Sequence, residues 1–207
     1  MIVIVDYGLG NLRSVSNMLR RAGFESVISG APDVIRSASK LILPGVGHFG
    51  FAMESLHAKG LVSVLNETVL EARIPVLGIC LGAQLLGRGS EEGGAVGLDW
   101  LPMDVVAFDN ARLGPGRKVP HMGWAVTTPT QSALFQGMAE TARFYYVHSY
   151  HFKCDAPDMV ICSASHGYRF ASGVGHRNIL GVQFHPEKSH AHGQQLLRNF
   201  AVMEFAA

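Results

Sequence analysis

The sequence predicts an α/β fold in which a mainly parallel central sheet is flanked by helices and continues into an antiparallel extension. The first half of the 207-residue chain alternates short runs of aliphatic residues with amphipathic segments, which is typical of β-α-β units with right-handed crossovers. The second half has strand-like runs joined by short polar or glycine-rich links, which favours antiparallel pairing. Hydrophobic residues make up 48% of the chain and charged residues 16%, as expected for a sheet that is buried on both faces.

In the first half, residues 2–6 are almost entirely Val and Ile, which indicates a strand covered on both faces. Residues 11–22 carry apolar side chains at helical spacing, and Gly23 then stops the predicted helix. By the same criteria we predict further strands at 26–29, 41–43 and 75–79, and helices near 50–58 and 61–72.

In the second half, β-rich runs predict an antiparallel extension of the same sheet. These runs lie at 103–108, 143–147, 159–163, 169–174 and 179–184. The last predicted helix covers about 192–203, where apolar residues share one face. Because no repeat or long linker divides the chain, we expect one domain over residues 1–207.

Composition excludes several classes of protein. The net charge of +1 gives no electrostatic support for nucleic-acid binding, and no apolar stretch reaches the length needed to cross a membrane. Three cysteines are an odd number, which argues against a disulfide framework and for a reducing compartment. The start, MIVIVDYG, has the pattern of a strand and not of a secretory leader. We therefore expect a cytoplasmic protein.

Cys80 lies between Gly78 and Gly82 in the run GICLG, where a predicted strand is followed by a predicted helix. This is the cysteine version of a nucleophile elbow, a sharp turn whose neighbours at −2 and +2 must lack side chains that would clash. The free N–H groups at the helix start favour a thiolate, and the Leu81 N–H can face a developing oxyanion. The alternative, a buried cysteine that only fills space, is our interpretation of Cys154 and Cys162.

His185 is the best candidate for the base that such a nucleophile needs. It ends the predicted strand 179–184, Pro186 stops that strand, and Glu187 follows within reach of the imidazole. The carboxylate would hold the ring, which completes a triad in the order Cys80, His185, Glu187. Taken alone, the same residues would be a surface His-Pro-Glu turn. His190 and His192 lack further ligands to complete a tetrahedral site, so we predict neither a metal nor a cofactor.

With these residues in place, the chain resembles the class I, or triad, glutamine amidotransferases over nearly its whole length. Six blocks carry the resemblance in the same order: IVDYGLGNLRSV (4–15), LPGVGHFG (43–50), GICLGAQLL (78–86), KVPHMGW (118–124), RFYYVHSY (143–150) and GVQFHPEKS (181–189). Each block alone would be weak, but six in order are specific.

The resemblance implies that Cys80 attacks the carboxamide of glutamine, that His185 transfers protons and that Glu187 orients His185. It also implies an oxyanion strand at 44–47, in which a peptide turns to direct the Val46 N–H toward the oxyanion beside the Leu81 N–H. The residues implied to bind glutamine are Gly47, Gln84, His148, Ser149 and Tyr150.

Within the family, the blocks look most like the branch that passes ammonia to a (β/α)8-barrel cyclase subunit in histidine biosynthesis. That heterodimer forms imidazole glycerol phosphate and aminoimidazole carboxamide ribotide. Residues that match positions near the interface with the cyclase are Asn11, Pro120, His121, Met122, Gly123, Trp124 and Lys188. The family usually has Asn after the Gly-Trp pair, whereas this chain has Ala125. For Trp124 the alternative role is a buried core tryptophan.

Two other functions stay open at this point. The runs at 90–100 and 188–200 look more like a paralogue that supplies ammonia to a sugar-modifying synthase in surface polysaccharide assembly. The chain could also be an inactive, amidotransferase-shaped interaction subunit, although the intact set of Cys80, His185 and Glu187 argues against this.

Overall fold

The structure is a computed structural model and describes residues 1–130 and 132–205. Its strands are β1 (Ile2–Val5), β2 (Ser26–Ser29), β3 (Lys40–Gly45), β4 (Val76–Cys80), β5 (Gly89–Ser90), β6 (Ala95–Val96), β7 (Met103–Ala107), β8 (His121–Val126), β9 (Thr128–Pro129), β10 (Arg143–His148), β11 (Tyr150–Cys154), β12 (Val160–His166), β13 (Tyr168–His176) and β14 (Ile179–Val182).

The helices are α1 (Leu12–Arg21), α2 (Pro32–Arg36), α3 (Phe49–Ala58), α4 (Leu61–Asn66), α5 (Leu81–Gln84), α6 (Asn110–Leu113) and α7 (His190–Val202). A π-helical turn, Glu67–Glu71, continues α4, so the helix predicted at 61–72 has two parts. Residues 186–188 form a 3-10 turn before α7.

The large sheet has the order β2-β1-β3-β4-β14-β13-β11-β7-β5-β6, and β12 pairs with both β13 and β9. Within the run β2-β1-β3-β4-β14, each strand is parallel to the next. Beyond β14 the pairs with β13, β11 and β12 are antiparallel. The predicted parallel sheet with an antiparallel extension is therefore confirmed.

Both faces of the parallel part are covered, as its hydrophobic runs require. Val3 and Val5 of β1 join a core cluster with residues of α3 and α4, whereas Ile2 and Ile4 join a cluster with residues of α1 and α7. Successive side chains of a strand point to opposite faces. The strand can therefore be apolar throughout without exposing either face.

One part of the predicted topology is wrong. The run predicted at 143–147 forms β10, but it lies outside the large sheet and pairs with β8 in a separate antiparallel sheet of two strands. The sequence analysis assigned no strand to 121–126, because its alternation includes His121, Gly123 and exposed apolar residues instead of a continuous buried run. Without its partner, β10 could only be placed in the main sheet.

No helix in the described residues combines the length and the apolar character that crossing a membrane would require.

Candidate active site

Cys80 lies where β4 ends and α5 begins, as predicted. Its backbone has φ 55° and ψ −113°, a conformation that is costly for a residue with a side chain. The residue is 7% exposed, and its sulfur faces a cavity at the carboxyl edge of the sheet. Such strain in a nucleophile places the thiol at the top of the turn, accessible from one side.

The two glycines around Cys80 are needed for the reason that the sequence suggested. A Cβ atom on Gly82 would overlap the carbonyl oxygen of Leu43 in β3, and one on Gly78 would lie 2.6 Å from the Cα atom of Ala83. Real Cβ atoms are not found at such distances from backbone. The turn can therefore pack against β3 only because both positions lack side chains.

His185 follows β14 and is held in place by backbone and side-chain hydrogen bonds. Its backbone N–H donates to the Tyr145 carbonyl at 2.9 Å. Its Nδ1 atom lies 2.8 Å from Oε1 of Glu187, and the two side chains are 1% and 2% exposed. Because an ionised carboxylate can only accept, Nδ1 carries the proton in this hydrogen bond, which leaves Nε2 as the proton acceptor of the neutral ring.

The charge state of His185 follows from its two neighbours. Burial acts to lower the pKa of His185, but interaction with Cys80 and Glu187 outweighs burial and raises the pKa to about 9. Below this pKa the ring also holds a proton on Nε2, as an imidazolium that Glu187 stabilises, so His185 is suited to take the Cys80 proton and to pass one to a leaving group. Nε2 has no conventional hydrogen-bond partner among the described residues, so it is available to substrate atoms.

Cys80 and His185 open onto the same cavity of about 520 Å³. The sequence-predicted residues that line this cavity are Val46, Gly47, Cys80, Leu81, Gln84, Pro120, His148, Ser149, Tyr150, His185 and Lys188. The structure thus brings together residues that are up to 142 positions apart in the chain (188 − 46). A larger cavity of about 700 Å³ beside α4 has no cysteine in its lining.

The segment that follows β3 forms one wall of the cavity. Gly45, the last residue of β3, is the register partner of Cys80, so the next residues lie beside the nucleophile. Val46 is 38% exposed, and Gly47 has φ 105° with no atom near a hypothetical Cβ. Glycine is therefore required at 47 by backbone conformation and not by lack of space.

Two residues at this site were not named by the sequence analysis. Glu92 lines the cavity, and its Oε2 accepts a hydrogen bond of 2.7 Å from the Phe49 backbone N–H. Gln183 is fully buried; its Oε1 accepts from Gln84 Nε2 at 3.0 Å, and its own Nε2 donates to the Cys80 sulfur at 3.8 Å. Gln183 stands in the block GVQFHPEKS beside His185, which was the one signal available.

The residues predicted to face a partner have different environments. Met122 and Trp124 are 63% and 40% exposed on the same face of β8, so Trp124 is not the buried core residue of the alternative. Its ring stacks on His190 at 5.2 Å. Gly123 lies between them with φ 127°, and Asn11 is half-buried just before α1.

His121, also predicted near the interface, has a buried side chain. Its side chain is only 6% exposed, and its Nδ1 atom lies 3.0 Å from Nε2 of His148 in the cavity wall. The strand alternation that exposes Met122 turns His121 inward. The ring of His121 thus packs behind the exposed face of β8, and its place near the interface stays a prediction.

Comparisons with known proteins identify relatives that match nearly the whole chain. The family model for glutamine amidotransferase class-I matches residues 3–203. The chain is 48% identical to imidazole glycerol phosphate synthase subunit HisH 2 of Pseudomonas aeruginosa, over 97% of this chain and 98% of the relative. It is 45% identical to subunit HisH of Bdellovibrio bacteriovorus, over 97% and 99% of the two chains. The corresponding subunit of Sulfurimonas denitrificans is 47% identical, over 97% of each chain.

Solved structures support the same fold. The crystal structure of a glutamine amidotransferase superposes with a TM-score of 0.73 at 19% identity and covers 96% of both chains. A glutamine amidotransferase from Thermotoga maritima superposes with a TM-score of 0.66 at 17% identity, over 97% of this chain and 95% of the other. At these identities the likeness concerns the fold alone.

Proposed function

Because the chain belongs to the class I glutamine amidotransferase family, we propose that it uses Cys80, His185 and Glu187 to hydrolyse glutamine to glutamate and ammonia. It is the glutaminase subunit of an imidazole glycerol phosphate synthase in histidine biosynthesis. The observation that carries the proposed roles is the strained Cys80 beside a His185–Glu187 pair at the base of a 520 Å³ cavity.

The proposed reaction proceeds through a thioester. His185 takes the thiol proton on Nε2 as the Cys80 sulfur attacks the carboxamide carbon of glutamine, and the carbonyl oxygen takes the negative charge beside the N–H groups of Val46 and Leu81. His185 then gives a proton from Nε2 to the nitrogen as the C–N bond breaks, and ammonia leaves. Next, His185 removes a proton from water, whose oxygen attacks the thioester carbon; glutamate departs and the proton returns to the sulfur.

The cavity has groups that suit both ends of glutamine. Gln84 and the segment 148–150 supply polar atoms, as the family resemblance implies, and Gly47 allows close approach of the backbone. The carboxylate of Glu92 faces the same cavity and is suited to the α-ammonium group of the substrate, since opposite charges attract in a partly desolvated site. These groups select a free amino acid over a peptide.

The partner is the (β/α)8-barrel cyclase subunit of the synthase. We propose that it docks on the surface formed by Met122, Gly123 and Trp124, beside Asn11. Pro120 and Lys188 line the cavity and continue to this surface, so ammonia can pass to the cyclase without entering bulk water. The His121 side chain lies behind this surface and forms a hydrogen bond with His148 in the cavity wall.

Two further proposals concern the domain organisation and the location of the complex. We propose that residues 1–207 form one domain, since the family match spans 3–203. We also place the complex in the cytoplasm, since Cys80, Cys154 and Cys162 are all free thiols.

Cys80→Ala tests the proposed function in the complex with the cyclase. Glutamine-dependent synthesis and glutamate release should be abolished, whereas synthesis from added ammonia should remain, because the nucleophile serves only to release ammonia. Cys154→Ala is the matched control and should keep both activities, because Cys154 is half-buried away from the cavity. Loss of both activities in Cys80→Ala would mean that Cys80 is needed for folding and not for chemistry.

The choice of partner distinguishes the remaining alternatives. The relatives named above are all subunits of imidazole glycerol phosphate synthase, which favours the histidine pathway over the polysaccharide paralogue. Glutamate release that rises with a sugar-modifying synthase and not with the cyclase would reverse this choice. A chain with no glutaminase activity beside either partner would be the inactive interaction subunit.

A further inference from the structure

Tyr7 has a buried hydroxyl group that takes part in none of the proposed reaction steps. The side chain is 0% exposed and packs in the core cluster that contains Leu43, Phe49 and Leu81. Its hydroxyl oxygen has no hydrogen-bond partner among the described residues. A buried donor without an acceptor costs free energy, so such a group calls for an explanation.

The Tyr7 hydroxyl lies against Gly45, in the proposed oxyanion strand at residues 44–47. The Tyr7 oxygen lies 2.5 Å from the point that a Cβ atom on Gly45 would occupy, so it is in contact with the glycine itself. Tyr7 is absent from the lining of the catalytic cavity, whereas Val46 is part of it. The hydroxyl therefore lies on the buried side of the Gly45–Val46 peptide, opposite the substrate.

The backbone of Tyr7 is anchored so that the ring cannot easily move away. The Tyr7 carbonyl accepts a hydrogen bond from the hydroxyl of Ser55 in α3. Burial, and secondly the charge of Cys80, raise the pKa of the Tyr7 hydroxyl. The group thus keeps its proton at neutral pH and can act as a donor.

The geometry of a peptide unit connects this donor to catalysis. The N–H and C=O of one peptide plane point to opposite sides. If the peptide turns so that the Val46 N–H points into the cavity, the Gly45 carbonyl must point away from it. That carbonyl then needs a donor on the buried side, and the hydroxyl of Tyr7 is the unpartnered donor in contact with Gly45.

We propose that Tyr7 is a positioning residue whose hydroxyl donates to the Gly45 carbonyl when the Gly45–Val46 peptide turns its N–H toward the oxyanion. Before the peptide turns, the Tyr7 hydroxyl has no partner, which raises the free energy of that conformation. After the peptide turns, the new hydrogen bond stabilises the conformation in which the Val46 N–H faces the tetrahedral intermediate. This inference rests on the oxyanion role proposed above for Val46. It assigns Tyr7 a role in the rate of glutamine hydrolysis and none in binding of ground-state glutamine.

Tyr7→Phe in the complex with the cyclase tests this role, because it removes the hydroxyl and keeps the ring. The kcat for glutamine hydrolysis should fall about tenfold, the size of effect expected for one lost hydrogen bond. The KM for glutamine and synthesis from added ammonia should stay unchanged. The thermal unfolding midpoint should stay unchanged or rise, because a buried hydroxyl without a partner is removed.

A second measurement separates positioning from folding. The open-chain form of glutamate γ-semialdehyde adds to the Cys80 thiol: a C–S bond forms as the C=O π bond breaks, the thiol proton passes to His185, and the aldehyde oxygen takes the place of the oxyanion. Its dissociation constant should rise in Tyr7→Phe by the same factor as kcat falls, since both report stabilisation of that oxygen. Glutamine binding, measured in the Cys80→Ala background, should not change.

Tyr146→Phe is the matched control. Tyr146 is also fully buried, but its hydroxyl is paired with Thr127 Oγ1 at 2.6 Å. This variant should therefore show the opposite pattern, with a lower unfolding midpoint and an unchanged kcat.

Two results would overturn the role of Tyr7 while leaving the proposed function intact. One is a wild-type rate of glutamine hydrolysis in Tyr7→Phe. The other is a fall in kcat that is matched by losses in thermal stability and in ammonia-dependent synthesis, which would show a structural role. If the wild-type complex made no glutamate at all, both the proposed function and this inference would fail.

Discussion

At the scale of single residues, the backbone strain at Cys80 is the feature on which the site depends. A positive φ at a cysteine persists only when its surroundings hold it. Here Gly82 allows the turn to approach β3, and Gly78 allows it to approach Ala83. The glycine spacing seen in the sequence therefore has a direct steric cause in the structure.

Gly82→Ala should destabilise the fold by more than about 2 kcal/mol, the usual range for overpacking a tight site. The added Cβ would overlap the Leu43 carbonyl oxygen, which belongs to backbone and cannot rotate away. Glutaminase activity of the variant should also fall, because the turn that holds Cys80 must shift to make room for the added Cβ. Chemical denaturation of the variant, followed by circular dichroism, measures the loss.

Gly50→Ala is the control for this prediction. Gly50 lies in α3, and a Cβ there would be in ordinary contact with His48 at 3.4 Å. Since alanine favours helix more than glycine does, this variant should be as stable as the wild type or more so. Equal stability of the two alanine variants would contradict the steric explanation of the GICLG block.

At the scale of elements, the two-stranded sheet of β8 and β10 joins the cavity to a histidine cluster. We use that term for His121, His148 and His166, which lie against Phe108. His148 Nδ1 donates to the Tyr150 carbonyl at 2.7 Å, so His121 must be the donor to His148 Nε2. A neutral His148 therefore lines the catalytic cavity.

This cluster should make the protein sensitive to acid. Burial is the main cause that lowers the pKa of His121 to about 4 and that of His148 well below its usual value. Below pH 6.5 these histidines take up protons in the unfolded chain, whereas in the folded protein they stay neutral until the pH is much lower. The folded state is therefore not penalised above pH 6.5 and loses stability as the pH falls from 6.5 toward 4. Unfolding midpoints measured across this range should fall steadily.

His121→Gln should weaken this pH dependence, because one buried group no longer binds a proton on unfolding. The exposed residue His57 provides the control, and His57→Gln should keep the wild-type dependence. An unchanged slope in His121→Gln would show that other groups cause the acid sensitivity.

At the scale of the whole molecule, the carboxyl edge of the parallel sheet assembles the site. Strands β3, β4 and β14 are adjacent and parallel, and they end near Val46, Cys80 and His185. Ligands of open α/β sheets bind at this edge. Pro120, the residue just before β8, lines the same cavity, so the proposed cyclase surface on β8 follows directly in the chain from the cavity wall.

Trp124→Ala should weaken the complex with the cyclase by about tenfold or more, as removal of a large aromatic side chain at an interface does. The unfolding midpoint of the isolated subunit should change little, because the side chain is 40% exposed. Titration calorimetry with the purified cyclase measures the affinity. Stimulated glutaminase activity should recover at a saturating concentration of cyclase.

Leu70→Ala provides a comparable loss of exposed apolar surface elsewhere. Leu70 is 46% exposed on the π-helical turn after α4, and its replacement should leave the affinity for the cyclase unchanged. If the two variants bind equally well, the proposed docking surface is wrong.

The sequence by itself determined the alternation that builds the parallel sheet, the strained turn at Cys80 and the six blocks that identify the family, because each is a property of neighbouring residues. Tertiary structure alone decided that β10 leaves the main sheet to pair with β8, that His121 turns inward, that Glu92 reaches the cavity and that Gln183 contacts the Cys80 sulfur. It also decided that the Tyr7 hydroxyl is left against Gly45. The physical reason is that local spacing governs backbone conformation and burial, whereas contacts between distant segments depend on how complete elements pack together.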